Sequence, residues 1–331
     1  VLAFMLAAMM MASVAVGCGN DSNTSSTEST GTDSTASTDN NEEPSEAGTD
    51  ASDVSIGSCV YKFDDTFMTG VRNTMTARAE ELGAKIDIVD SQNKQPTQNE
   101  QVDTFITKGV NALIVNPVDL TAAGPIITKA KDADLPIVLQ NRQPSEEDMN
   151  SYDKAWYVGC RAEQSGTMSG EIIADYFTAH PEADKNGDGK VQYVMIQGEP
   201  GHQDATLRSE YAPKAIEEAG FGVEQLAADT AMWDKVKATD LMAAFISSQG
   251  IDKIEAVLCN NDDMALGAIE ALKAEGYNSG DESKYIPVVG VDATAPALEA
   301  MKDGSLLGTV LNDSTSQGNA SVNIAVAAAQ G

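Results

Sequence analysis

The chain is short of the residues that usually carry catalysis, and each shortage excludes something. It holds two histidines, His180 and His202, and four cysteines in 331 residues. Three of the cysteines, Cys59, Cys160 and Cys259, stand in apolar strand-like runs (IGSCVY, WYVGC, EAVLCNN) without close spacing. An odd, scattered set is neither a disulfide framework nor a zinc site, and buried inert thiols are expected. Positive charge is also scarce: 21 Lys and Arg stand against 51 Asp and Glu, a formal net charge of −30. Such a surface repels phosphates and argues against nucleic acid as a partner. After the first strand-like run there is no dinucleotide glycine fingerprint and no phosphate-cradling loop, only YKFDDTF, which counts against a cofactor-dependent enzyme.

The first sixteen residues, VLAFMLAAMMMASVAV, carry no charge. They are short for a spanning helix, which needs about 20 residues, and end in small residues before Cys18, as a secretory signal does. AVGC resembles the lipobox of bacterial lipoproteins, with Ala15 where Leu is usual, so Cys18 is the expected lipidation site. Residues 1–18 are therefore expected to be a signal whose start is missing. Residues 19–53 turn to Ser, Thr, Asn, Gly, Asp and Glu, with no Lys, Arg or aromatic. A segment of that composition cannot offset its ordering entropy and is expected to be a disordered tether. Nine carboxylates lie in it, which leaves −21 on the remainder. The picture is of an extracytoplasmic domain, lipid-anchored to the outer face of the cell membrane.

From Val54 onward short apolar runs alternate with helical patterns. SIGSCVY, KIDIVDS, NALIVN, LPIVLQN, VQYVMIQG, IEAVLCNN, IPVVGVD and LLGTVLND read as strands, and TFMTGVRNTMTARAEELG and NEQVDTFITKG as helices between them. Alternation of this kind implies parallel sheets covered by helices on both faces. The body exceeds the size of one comfortable core, so two doubly wound parallel-sheet domains are expected. Open parallel sheets bind ligands at the carboxyl ends of their strands. That directs attention to Asp64–Asp65, Asn141, His202–Asp204, Asn260–Asn261–Asp262, Asp292 and Asn312–Asp313. With Arg208 as a cationic donor, these amides and carboxylates suit a neutral polyhydroxylated ligand, whose hydroxyls both donate and accept. Phe67 and Trp233 could cover the C–H faces of a sugar ring.

Each residue also has a plainer role open to it. A lone strand-end Asp or Asn usually caps a helix, Trp233 could be core, and Asp204 and Arg208 could pair on a surface at i,i+4 spacing. His202 beside Asp204 could be a base with its orienting acid, but no nucleophile or second acid accompanies it.

YKFDDTFM, NALIVNPVD, SYDKAWYVG, GEPGHQDATLR, DTAMWD, NNDDMALGAIEALKA, GVDA and GTVLND resemble the periplasmic galactose/glucose-binding proteins of bacterial ABC transport, within the type I periplasmic binding protein family. The resemblance runs from about Ser55 to the end, with an apparent insertion around Asn278–Tyr285. It implies two lobes joined by a hinge, closing on one monosaccharide: 54–160 with 312–331, and 161–311 carrying a calcium loop. It also implies that Asp65 takes the 4-hydroxyl, whose configuration separates glucose from galactose, and that Phe67 and Trp233 stack on opposite faces of the pyranose. Asn141, His202, Asp204, Arg208, Asn261, Asp292 and Asn312 would share the other oxygens. The implied protein is a monomeric, non-catalytic receptor for ABC permease subunits. Alternatives are a sugar receptor for a chemoreceptor or sensor kinase, a binder of ribose, xylose, inositol or another monosaccharide, and a calcium-dependent glycosidase. A LacI-like regulator would need a basic helix-turn-helix before Val54, where the export signal and acidic tether stand. The resemblance further implies a terminal helix and hinge strands beyond Gly331, so the sequence is expected to be a fragment at both ends and less stable for it.

DKNGDGKVQ reads like most of a calcium loop. Asp184, Asn186 and Asp188 occupy positions one, three and five, Gly189 supplies the turn, and the Lys190 carbonyl and Gln192 follow at seven and nine. Position twelve is Met195, inside an apolar run. An extended strand moves away from the ion by about 3.3 Å per residue, so the missing carboxylate has to come from elsewhere. In the family the resemblance points to, a remote Glu supplies it, and Glu255 is the matching residue. The ion would be structural, pinning a loop to its sheet.

Overall fold

A computed structural model describes Ala51 and residues 53–331. The expected signal, the lipidation site Cys18 and nearly all of the expected tether lie outside the described residues.

Two five-stranded sheets organise the chain. The first has β1 (Ser55–Val60), β2 (Lys85–Asp90), β3 (Ala112–Val115), β4 (Ile137–Gln140) and β5 (Ala155–Val158), in the order β2-β1-β3-β4-β5. The second has β6 (Lys190–Gln197), β7 (Gly222–Thr230), β8 (Ala256–Cys259), β9 (Val288–Val291) and β10 (Gly308–Val310), in the order β10-β9-β8-β6-β7. All pairings are parallel. The second sheet repeats the topology of the first, each with its earliest strand next to its edge and a switch point beside it. This is the two-lobe α/β architecture the alternating pattern implies.

Between the strands run α1 (Thr66–Glu81), α2 (Gln95–Lys108), α3 (Ala123–Asp132) and α4 (Glu146–Asn150), then α5 (Ala162–Ala179), α6 (Gln203–Glu218), α7 (Lys235–Gln249), α8 (Asp262–Ala274) and α9 (Ala295–Lys302). The last helix, α10 (Ser314–Gln330), returns to the first sheet. Its Val322, Ala325 and Val326 pack into the core with Val71 and Met75 of α1, and Ser321 Oγ accepts from Gln140 Nε2 at 2.9 Å. The chain thus crosses between sheets after β5 and again after β10.

Central strands are buried on both faces and read as unbroken apolar runs, ALIV in β3, AVLC in β8 and VVGV in β9. Edge strands differ. No residue of β7 is fully buried, which is why FGVEQLAADT carries too little apolar signal to read as a strand. Among the described residues no helix is long and apolar enough to cross a membrane.

Two cysteines lie in the cores as expected, Cys59 in β1 and Cys259 in β8. Cys160 differs: it follows β5, is half-buried, and its Sγ lies 3.4 Å from Asp204 Oδ2 and 3.5 Å from Arg208 Nη2. Burial foremost pushes its thiol up to about 11, so it stays protonated.

Candidate ligand-binding cleft

The carboxyl ends of the two sheets face one another across a chamber. Its lining contains all ten strand-end, helix-start and aromatic candidates: Asp65, Phe67, Asn141, His202, Asp204, Arg208, Trp233, Asn261, Asp292 and Asn312. Every one except Asn141 is buried. Tyr61, Met68 and Arg142 complete the wall. None of those three was among the candidates read from the sequence.

Three of the polar side chains cap helices. Asp65 Oδ1 accepts from Met68 N at 2.7 Å, His202 Nδ1 accepts from Asp204 N at 3.1 Å, and Asn261 Oδ1 accepts from Met264 N at 3.0 Å. Capping and ligand contact are therefore not alternatives here. A cap fixes the rotamer and uses one acceptor, leaving other atoms of the group to face the chamber. Asp65 is held a second time, by Tyr61 Oη donating to Oδ2.

The Asp204–Arg208 pair is not on a surface. Arg208 Nη2 lies 2.9 Å from Asp204 Oδ2 with both side chains buried, and Nη1 donates to Asn260 O at 2.8 Å. Arg208 Nε and Arg142 Nε are buried without a protein partner. Asn312 Nδ2 donates to Asp292 Oδ1 at 3.1 Å, and Gln317 Nε2 fixes Asn312 by donating to its Oδ1 at 2.7 Å. Burial raises the Asp292 carboxyl well above the usual carboxylate range, against the opposing pull of Arg208. His202 is pushed the other way, well below 6.5, by burial and then by Arg142 and Arg208. It is neutral at physiological pH.

Trp233 belongs to the buried apolar cluster of the second lobe and also lines the chamber. Its backbone is left-handed (φ 61°), as are those of Met232 and Asn141 (φ 57° and 62°), and Asp292 has φ 125°. For bulky residues such geometry costs of order 1 kcal/mol or more and persists where surrounding contacts enforce it. The indole lies against Gly198, where an added Cβ would overlap the ring, and packs edge-on to His202 with centroids 5.0 Å apart. Phe67 faces the same chamber from α1, in the other lobe.

Two contacts bridge the lobes at the rim. Arg142 Nη2 lies 2.7 Å from Glu199 Oε2, with the Arg stacked 4.0 Å from the Tyr61 ring centroid. Thr66 Oγ1 donates to Asp263 Oδ2 at 2.8 Å.

The loop Asp184–Gln192 lies in the second lobe, away from the chamber lining. Asp184 accepts from Gly187 N, Asp188 N and Gly189 N at 2.7, 3.2 and 2.8 Å, and Gly187 and Gly189 take φ 74° and 77°. Asn186 Oδ1 accepts from Asp188 N at 2.9 Å and Asp188 Oδ1 from Lys190 N at 2.9 Å. Because β6 pairs with β8, Glu255 sits beside Gln192; its Oε1 accepts from Lys185 N at 2.7 Å and Oε2 from Gln192 N at 3.1 Å. Burial raises the Glu255 carboxyl. Gln192 Oε1 is buried with no partner. Among the described residues no three Asp, Glu, His or Cys side chains gather as a metal site. An ion here would depend on the amide and carbonyl oxygens as well, and the orphaned Gln192 oxygen beside two carboxylates fits a hard cation.

A family model described as "Periplasmic binding protein domain" matches residues 56–331. The D-galactose/methyl-galactoside binding periplasmic protein of Haemophilus influenzae is 44% identical over 288 residues, 87% of this chain and 85% of that protein. A putative rhizopine-binding protein of Rhizobium meliloti is 35% identical, over 84% of this chain and 85% of that one. Among solved structures, an ABC transporter solute binding protein from Bacillus halodurans C-125 with bound myo-inositol aligns with a TM-score of 0.72 and 35% identity, over 84% and 89% of the two chains. By sequence match and by the pairing of two like-wound parallel sheets around one polar chamber, this chain belongs to the periplasmic binding protein domain family, a family of solute-binding proteins rather than enzymes.

Proposed function

We propose that this chain is the extracytoplasmic substrate-binding component of an ABC sugar importer, and that it binds D-glucose or D-galactose between its lobes. The observation that carries the reading is the chamber itself: Phe67 and Trp233 from opposite lobes, with amides, carboxylates, His202 and two arginines between them. A charged ligand would need a matching excess charge. A neutral pyranose needs paired donors and acceptors and flat apolar covers, and both are present. The 44% identical galactoside-binding relative supports the choice of hexose.

In this reading Asp65 takes the 4-hydroxyl. A carboxylate accepts from either direction, so both epimers fit. Phe67 and Trp233 sandwich the ring, and Asn141, His202, Asp204, Arg208, Asn261, Asp292 and Asn312 share the remaining oxygens. The ligand favours the closed arrangement because only there do both lobes touch it. The closed form docks a membrane permease, or presents sugar to a chemoreceptor or sensor kinase. Cys18 carries a lipid anchor. Asp184, Asn186, Asp188, the Lys190 carbonyl, Gln192 and Glu255 hold a structural calcium ion, which clamps the loop to β6 and β8.

Isothermal titration with monosaccharides, with myo-inositol included because a 35% identical relative holds it, tests the ligand. The expected result is hexose binding that survives chelation, with a lower melting temperature once calcium is removed. Binding of pentoses alone, or of no sugar, overturns the hexose assignment. A melting temperature indifferent to chelator and to added calcium overturns the metal assignment.

A further inference from the structure

Beside the chamber lies a second space between the lobes, open to solvent. Its lining mixes apolar groups such as Val118, Leu120 and Met232 with polar ones such as Asn93 and Thr121. Two residues, Arg142 and His202, line both spaces and form the wall between them. Arg142 is fixed by Val118 O, which accepts from Nη1 at 2.8 Å, by the Tyr61 ring, and by Glu199 across the cleft. Glu199 itself lines only the outer space.

We propose that the Arg142–Glu199 ion pair is the size filter of this cleft. Accepting the sugar reading above, on which this rests, an unsubstituted hexose fits inside the wall and lets the pair form. A sugar carrying an aryl group or a second ring has to place that substituent in the outer space. To do so it displaces Arg142 and separates an ion pair whose arginine is buried, leaving that charge without its partner. The pair therefore does two things at once. It bridges the lobes when a monosaccharide is bound, and it penalises glycosides whose substituent projects through the wall. The outer space, open and amphipathic, is where that substituent goes when the pair is absent.

Removing Glu199 tests this without touching the chamber lining. For wild type, Glu199→Ala and Glu199→Ala/Leu120→Trp, affinities are measured by calorimetry for the hexose, its methyl glycoside, its 4-nitrophenyl glycosides and 1→6-linked disaccharides. In Glu199→Ala the hexose is expected to weaken by about tenfold, since Arg142 loses its partner. The ratio of substituted to free hexose affinity is expected to rise by at least about tenfold. Adding Leu120→Trp fills the outer space; it should reverse the gain for bulky glycosides and leave hexose binding as in the single variant. Which series responds, anomeric or 6-linked, identifies the edge of the sugar that faces the wall. An unchanged ratio in Glu199→Ala, or a gain that Leu120→Trp does not reverse, overturns the filter while leaving hexose binding intact. Loss of hexose binding already in the wild type overturns the sugar reading, and the filter with it.

Discussion

At the scale of single residues the cleft works by giving side chains two tasks. Asp65 caps α1 and faces the chamber, so its replacement has to be chosen to keep the cap. Asp65→Asn retains an oxygen for Met68 N and loses the charge. Hexose affinity is expected to fall by about ten- to a hundredfold, the range for losing a charged hydrogen-bond partner, while the urea midpoint stays nearly unchanged. Equal losses of both would mean that the cap, not ligand contact, is what the carboxylate supplies. His202 gives a pH prediction. Its proton affinity is depressed by burial and by Arg142 and Arg208; opening the cleft relieves the burial and takes Arg142 away, and in an unfolded chain the imidazole titrates near 6.5. As pH falls through about 6.5 the unfolded chain takes up a proton that the closed cleft refuses, and the open form takes it up more readily than the closed one, so closure is favoured in full at higher pH and weakens as pH falls. Asp292 acts with the opposite sign, because burial raises its carboxyl and the closed form holds its proton more firmly. The His202 contribution is isolated by difference: affinity should decline from about pH 7 to 5 more steeply in wild type than in His202→Gln. Parallel profiles would assign the dependence to other groups.

At the scale of elements, packing is closest where glycine lets a helix lie on a strand. Gly57 of β1 sits beneath Phe105 of α2, and a Cβ there would run into the ring. Gly57→Ala is expected to destabilise the protein by about 1–3 kcal/mol through overpacking. Phe105→Leu in the same chain should recover part of that loss, a positive coupling that urea unfolding of the double-mutant cycle would reveal. Strict additivity would show that the ring moves aside at no cost. The elements themselves were largely legible. ALIV, AVLC and VVGV announce central strands because both of their faces are buried, whereas β7 escapes notice because an edge strand needs few apolar residues. The calcium-like loop was equally legible to its ninth residue. Glu255, in contrast, becomes a neighbour of Gln192 only through the β6–β8 register, and register between strands some sixty residues apart is not written locally.

For the whole molecule, two lobes meeting around one ligand make stability and binding one equilibrium. Ligand that binds only the closed form stabilises it by about 2.7 kcal/mol at a hundred times the dissociation constant. Saturating hexose is therefore expected to raise the melting temperature in proportion to the logarithm of its concentration and to reduce the radius of gyration by small-angle scattering. A higher melting temperature at constant radius would mean that the lobes are closed before ligand arrives.

The strand–helix rhythm, the acidity, the polar residues at the strand ends and the spacing of the metal-like loop are all properties of neighbours along the chain, and the sequence by itself determined them. That each strand-end residue could be a cap or a ligand contact was also visible there, but not that Asp65, His202 and Asn261 are placed to be both. Only the folded arrangement decided that Asp204 and Arg208 pair in the interior, that Cys160 lies beside them rather than in a core, and that Arg142 reaches Glu199. The reason is physical: periodicity fixes which face of an element is buried, whereas contacts across the cleft depend on how two separately wound sheets are turned toward each other, and no stretch of residues encodes that alone.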